Sequence, residues 1–284
     1  MAEIETVKEK KATKVGKVNR ILNCLESPQR EKDWSLECAQ LAGIVSTPEK
    51  LPNAVDLRDD TWWEIGNQGA TGSCVGWATA DSVLRWYFVK ANRLDKTEKL
   101  STRYIWMAAK ETDEFRQRPT SFIESDGTSL KAALDIARKY GVVTEAVLPF
   151  TGGKLYPGDC DPFYMMAAMR RIASYVSLRG LFEPQDAMLY SFRLWLAKRG
   201  PILTRLNVDQ TFNGLSSDRS GKLESYVPYP AGKSGGHAVA LVGYTPSGFI
   251  VRNSWGATWG DKGYGYTSHD YTFAAFREAY GVVV

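Results

Sequence analysis

Histidine is nearly missing from this sequence: His237 and His269 are the only two in 284 residues. Any chemistry that needs an imidazole base has two candidates. Cysteine is almost as scarce, at positions 24, 38, 74 and 160, which is too sparse for a disulfide-stapled fold and lacks the paired spacing of a zinc site. Each cysteine is therefore read as a free thiol. No apolar run approaches membrane-spanning length, and the opening M-A-E-I-E-T-V-K-E-K-K has no apolar signal core, so a cytoplasmic protein without a membrane partner is expected. The net charge of +4 is mild and its Lys and Arg residues are spread along the chain, which argues against nucleic acid as a partner. There is no internal repeat and no low-complexity segment.

What is present is enough apolar material, 44% hydrophobic and 12% aromatic, to bury one large core or two lobes. Residues 1 to about 20 are charged and read as a flexible arm. From Asp33, D-W-S-L-E-C-A-Q-L-A-G offers a cap, a short helix and a terminating Gly43, and the linker S-T-P-E-K-L-P places a boundary near Leu51. Residues 1–50 are thus an arm, either a propeptide or a clasp that simply packs on the body, and 51–284 the main domain.

Beyond Cys74, the apolar residues Val75, Ala78, Val83, Leu84, Tyr87 and Phe88 recur at helical spacing, which puts Cys74 at a helix amino terminus. Further helices are expected near Thr102 to Lys110, Ser129 to Tyr140 and Pro184 to Arg199, with Trp86, Trp106 and Trp195 filling the core. After P-I-L-T-R-L-N-V, short apolar runs alternate with turns: H-A-V-A-L-V-G-Y, T-P-S-G, F-I-V-R-N and G-Y-G-Y. A helical first half and a strand-rich second half predict an α+β protein of two lobes, divided near residue 200.

Cys74, in G-A-T-G-S-C-V-G-W-A, is either a small buried side chain or a nucleophile. A nucleophile needs a base, an orienting group and oxyanion donors. His237 opens an apolar strand after a glycine pair, and the T-P-S-G turn brings Asn253 back beside it, where the Asn side chain can accept the Nδ1 proton and leave Nε2 for a thiol. His269, in T-S-H-D-Y, has no such neighbourhood and reads as structural.

Gln68, Gly72, Ser73 and Cys74, then His237, then N-S-W-G-A-T-W-G-D-K-G-Y-G from Asn253, resemble the papain-like cysteine peptidases in residue type and order. The resemblance spans most of residues 51–284. It implies a two-lobe fold, a helical left lobe and an antiparallel, β-barrel-like right lobe with the active-site cleft between. It also implies a cysteine endopeptidase acting on protein or peptide substrates, as a monomer, with no cofactor and no metal. Cys74 would be nucleophile, His237 base and then acid, and Asn253 the residue orienting it. Trp255 would shield that hydrogen bond, and Gln68 and the Cys74 N–H would donate to the oxyanion. Gly72, Ser73, Gly127, Gly236 and Trp255 would lie on the substrate side. The resemblance also implies that residues 1–50 form an inhibitory propeptide, although the arm is shorter than the usual extension.

Thr71 stands where many such proteins carry a disulfide-forming cysteine, which fits a reducing compartment. Val75-Gly76 replaces the usual aromatic neighbour, so the helix start is expected to be rearranged. Gly127, in E-S-D-G-T-S-L-K-A-A-L, is either a substrate-presenting glycine or part of a turn in which Thr128 or Ser129 caps a helix. Residues 208–236 either shape specificity or form a solvated connection. Cys24, Cys38 and Cys160 show no partner in the sequence and read as structural. Two other functions stay open: a related acyl-transfer enzyme (amidase, transglutaminase-like or isopeptidase), and a non-catalytic binding module of the same fold.

Overall fold

The computed structural model describes residues 20–112, 126–151, 160–230 and 235–284. Strand β5, Gly236–Thr245, organises the whole molecule. Its period-two alternation sends Ala238, Ala240 and Val242 into one apolar core and Val239, Leu241 and Tyr244 into a second, the last after a bulge at Leu241/Gly243. Both faces of the strand are covered, so it reads as a continuous apolar run and not as a polar-apolar alternation.

Around β5 stand β1 (Val55–Asp56), β2 (Ser174–Ser177), β3 (Ile202–Asn207), β4 (Lys222–Leu223), β6 (Gly248–Arg252), β7 (Tyr264–Ser268) and β8 (Phe276–Val283). Their order is β2-β8-β3-β5-β6-β7-β4, with β1 added on β5, and every pairing except β4 with β7 is antiparallel. The expectation of a barrel-like right lobe is corrected here: β2 and β4 end an open sheet. The cause lies in the helices. Helix α7, Gln185–Lys198, lays Met188, Phe192 and Trp195 on one face, so that face is covered by helix without the sheet closing on itself.

The first core belongs to the helical side. A continuous helical run starts as α2, Cys74–Gly76, continues as a π-helical stretch, Trp77–Leu84, and ends as α3, Arg85–Lys90. It packs on α4, Thr102–Thr112, and α5, Leu130–Lys139. Helix α5 sits where its sequence signals placed it: the Ser129 hydroxyl accepts from Ala132 N at 3.3 Å, and Gly141 follows the last turn at φ 90°. The irregularity expected at Val75-Gly76 appears as the π-helical stretch, which begins immediately after Gly76. A Cβ on Gly76 would run into the Thr102 carbonyl oxygen and the Trp106 side chain, so only glycine lets the helix that begins at Cys74 come this close to α4.

The arm is not separate from the body. Helix α1, Leu36–Leu41, is capped by Ser35, and Leu36 and Ala39 enter the second core. Asp33 pairs with Lys131 at 2.6 Å and accepts from the Tyr280 hydroxyl at 2.9 Å. Ser27 N donates to the buried Glu278 carboxylate at 3.0 Å. The expected linker residue Leu51 packs at the edge of the second core. Residues 1–19 lie outside the described residues.

Candidate active site

Three elements bring the site together. Cys74 opens α2, His237 is the second residue of β5, and Asn253 follows β6, which the hairpin from β5 returns to the same end of the sheet. All three side chains are buried. His237 Nε2 lies 2.8 Å from Asn253 Oδ1. The amide orientation is fixed by its own partner, because Ser254 N donates to the same Oδ1 at 2.8 Å. Oδ1 can only accept, so Nε2 carries the hydrogen. The assignment of nitrogens read from the sequence is therefore reversed. Nε2, not Nδ1, meets Asn253, and Nδ1, which has no other hydrogen-bond partner, is left for the Cys74 sulfur.

The Cys74 thiol is held well below the ordinary thiol range. The first cause is a hydrogen bond from the Cys24 side chain, followed by the hydrogen bond and charge of His237, which together outweigh desolvation. Cys24 moves the opposite way, because burial disfavours its charge and the Cys74 thiolate repels it. The two buried side chains therefore shift in opposite directions. Cys24 was read as a cysteine without a partner, and that reading is corrected: it has one, and the partner is the nucleophile candidate. The two are 50 positions apart in sequence, with no local pattern to join them. Cys38 is exposed, and the side chain of Cys160 lies outside the described residues.

Gln68 is buried and locked. Ser254 Oγ donates to its Oε1 at 2.9 Å, while Nε2 donates to Thr71 O at 2.9 Å, and Gln68 N donates to Ser254 O at 2.9 Å. One Nε2 hydrogen remains for another acceptor. Thr71, read for the cysteine it replaces, instead holds the turn: its hydroxyl lies 2.8 Å from Gln68 O and 2.6 Å from Ser73 Oγ. Gly72 sits between them. Ser73 precedes the helix without capping it through its side chain.

The imidazole is enclosed by aromatics. Trp255 lies 4.8 Å from His237 between ring centroids, and Phe212 packs 5.8 Å from His237 and 5.3 Å from Trp255. Phe212 was not singled out in the sequence. It comes from α8, Gln210–Gly214, capped by Asp209, so the early part of residues 208–236 is neither a solvated connection nor a cleft loop but a support beneath the imidazole. Residues 231–234 of that segment lie outside the described residues. His269 is remote, at the start of helix α9, His269–Ala275, with Nε2 2.8 Å from Arg193.

Behind Cys74, His237 and Asn253, Arg252 is fully buried and joins the two sides. Its guanidinium donates to Asp81 Oδ2 at 2.8 Å, Trp63 O at 2.9 Å and Glu64 O at 2.6 Å, and stacks over the Trp63 ring at 4.6 Å. Asp81 stands two turns after Cys74 on the same helical run, so this ion pair ties the helix of Cys74 to the residue before Asn253.

Residues 20–27 of the arm run through the cleft. The Arg20 guanidinium donates to Asn67 Oδ1, Gly69 O and Trp255 O at 3.0, 2.8 and 3.0 Å. Cys24 N donates to Gly236 O at 2.9 Å, Leu25 N to Thr128 O at 3.0 Å, and Arg205 Nε to Cys24 O at 3.0 Å. Leu25 bridges Ser129 in parallel register. A Cβ on Gly127 would meet the Asn23 carbonyl, and one on Gly236 the Cys24 carbonyl, so both glycines admit a backbone lying directly against them. Both readings of the Gly127 turn coexist: Ser129 caps α5, and Gly127 faces an extended chain. Trp106 Nε1 steadies this turn through Asp126 O at 2.9 Å. Among the described residues no group of three or more His, Cys, Asp or Glu side chains could hold a metal, and no helix is long and apolar enough to cross a membrane.

Comparison with known proteins follows this geometry. The family model for papain family cysteine proteases matches residues 51–279. Cysteine proteinase B of Leishmania mexicana is 28% identical over 222 residues, covering 75% of this chain and 44% of that protein. This chain spans about half the length of the curated relatives it matches. Xylellain, a cysteine protease from Xylella fastidiosa, superposes with a TM-score of 0.69 at 21% identity, covering 98% of this chain and 99% of its own. Digestive procathepsin L 3 of Tenebrio molitor larval midgut gives 0.61 at 18%, covering 84% and 72%.

Proposed function

This chain belongs to the papain family of cysteine proteases, and we propose that it is an endopeptidase whose catalytic triad is Cys74, His237 and Asn253. The observation that carries the proposal is the proton arrangement: Asn253 accepts from Nε2, so Nδ1 is the nitrogen free to exchange a proton with Cys74. The Cys74 thiolate attacks the peptide carbonyl carbon, and the resulting oxyanion receives the spare Nε2 hydrogen of Gln68 and the Cys74 N–H at the helix start. His237 then gives its Nδ1 proton to the leaving amine. Water, deprotonated by the same nitrogen, hydrolyses the thioester and restores the thiol.

In the same proposal, residues 1–50 hold the enzyme latent. Support comes from the arm backbone lying against Gly127 and Gly236, the positions expected to present backbone to a substrate. Incubated full-length protein is expected to cleave itself near Leu51 and then hydrolyse a peptide library to shorter peptides. Cleavage that persists in Cys74→Ala alone overturns self-processing. Release of ammonia or transfer of an amine, with peptide bonds intact, overturns the endopeptidase reading in favour of an amidase or transglutaminase-like activity.

A further inference from the structure

The two buried thiols in the cleft invite covalent chemistry that hydrolysis does not use. Cys24 and Cys74 belong to one buried cluster, at 2% and 0% exposure, and Cys24 N donates to the carbonyl of Gly236, the neighbour of His237, which brings the two side chains together at the imidazole. The contact is built and not incidental. Cys24 is clamped by its N–H on Gly236 O and by Arg205 on its carbonyl, while Arg20 fixes the chain four residues earlier and Ser27 on Glu278 fixes it three residues later. The arm therefore cannot slide and carry Cys24 away without breaking bonds on both sides. Cys38, by contrast, is exposed.

We propose that Cys24 and Cys74 are a redox modification site, joined by a reversible disulfide that ties the arm to the nucleophile. This rests on the reading of Cys74 as nucleophile. The oxidant is a small peroxide. The Cys74 thiolate attacks one oxygen of hydrogen peroxide, the O–O bond breaks, and the departing hydroxide takes a proton to become water, leaving a sulfenic acid on Cys74. The Cys24 sulfur then attacks the Cys74 sulfur, the S–O bond breaks, and the hydroxyl leaves with the Cys24 proton as a second water. Two thiols have lost two hydrogens and two electrons, and one peroxide has become two waters. A dithiol reverses the change by thiol–disulfide exchange, attacking one sulfur and closing its own disulfide as both cysteines return to thiols. The resolving thiol beside the nucleophile also stops oxidation at a recoverable stage, because a sulfenic acid that finds no thiol goes on to the sulfinic acid.

The test treats the full-length protein with stoichiometric hydrogen peroxide and digests it without reduction for mass spectrometry. The expected product is a Cys24 peptide linked to the Cys74 peptide, lighter by two hydrogens than the free pair. Iodoacetamide labelling of Cys74 should be lost and then fully restored by dithiothreitol. In Cys24→Ala no link forms, a second equivalent of peroxide takes the Cys74 sulfenic acid on to the sulfinic acid, and dithiothreitol then does not restore labelling, whereas the unaltered chain given the same two equivalents is restored. Irreversible oxidation of Cys74 in the unaltered chain, or a link from Cys74 to Cys38 or Cys160, overturns the proposal. Because the readout is a mass and not a turnover, the two readings fail separately. A linked but non-hydrolysing protein keeps the redox site and removes the peptidase, and a hydrolysing protein without the link does the reverse.

Discussion

The hydrogen on His237 Nε2 is set by two acceptor bonds on one oxygen, and in the proposed mechanism this decides which nitrogen meets Cys74. Asn253→Ala removes both, frees the ring to rotate and is expected to lower kcat with the Cys74 thiol still present to alkylating agents. In the proposed mechanism Gln68 acts at a different moment. Removing one donor aimed at the oxyanion typically costs about 10²–10³ in kcat, so Gln68→Ala should show that loss with little change in KM, measured on a fluorogenic peptide. The thiol gives a pH prediction. Alkylation follows the thiolate, so its rate rises with pH and levels off above the folded-state pKa; in the unaltered chain the plateau should arrive below the ordinary thiol range. Cys24→Ala deletes the first stabiliser of that thiolate and should move the plateau upward, while His237 still keeps it below an ordinary thiol. An unmoved plateau would remove Cys24 from the account. With two histidines in the chain, the pairing of His237 with Asn253 was legible in the sequence. The ring nitrogen could not, because it depends on the Ser254 N–H, a tertiary arrangement with no pattern of its own.

The helical run from Cys74 and the hairpin of β5 with β6 carry the site as rigid pieces, and their junction is the Asp81–Arg252 ion pair. Breaking a buried pair costs about 3–5 kcal/mol when a charge is left alone. Arg85, 3.5 Å from Asp81, remains after Arg252→Met, so the low end of about 3 kcal/mol is expected in a urea titration. A loss near zero would mean that the pair is not a joint. Gly76→Ala should cost about 1–3 kcal/mol by overpacking against Thr102 and Trp106, read as a fall in Tm. Elements with local punctuation were legible: Ser129 and Gly141 bracket α5, and the T-P-S-G turn joins β5 to β6. Strand β8 was not, because F-R-E-A-Y-G-V-V carries a buried Glu278 and a glycine where a strand pattern is expected to be apolar. Among the described residues the Glu278 carboxylate accepts from Ser27 N in the arm and stands across the strand from Arg205, neither of which is local in the sequence. The open sheet was missed for a related reason: nothing local tells that α7 will cover a face that a closed barrel would otherwise bury.

Taken whole, the molecule is a family fold with its own amino-terminal segment laid through the cleft, held by Arg20, Cys24, Leu25, Ser27 and Asp33. The reach of these contacts, from the nucleophile to the far edge of the sheet, is why the arm looked separable in sequence and is integrated in space. The central claim is that Cys74 is a nucleophile and that the arm covers it. A thiol-directed peptidyl epoxide tests both, applied under reducing conditions to the full chain and to the chain starting at Leu51, with circular dichroism to establish folding. The account predicts a single adduct on Cys74, formed slowly in the full chain and quickly in the shortened one. A folded, shortened chain whose Cys74 stays unmodified would contradict it.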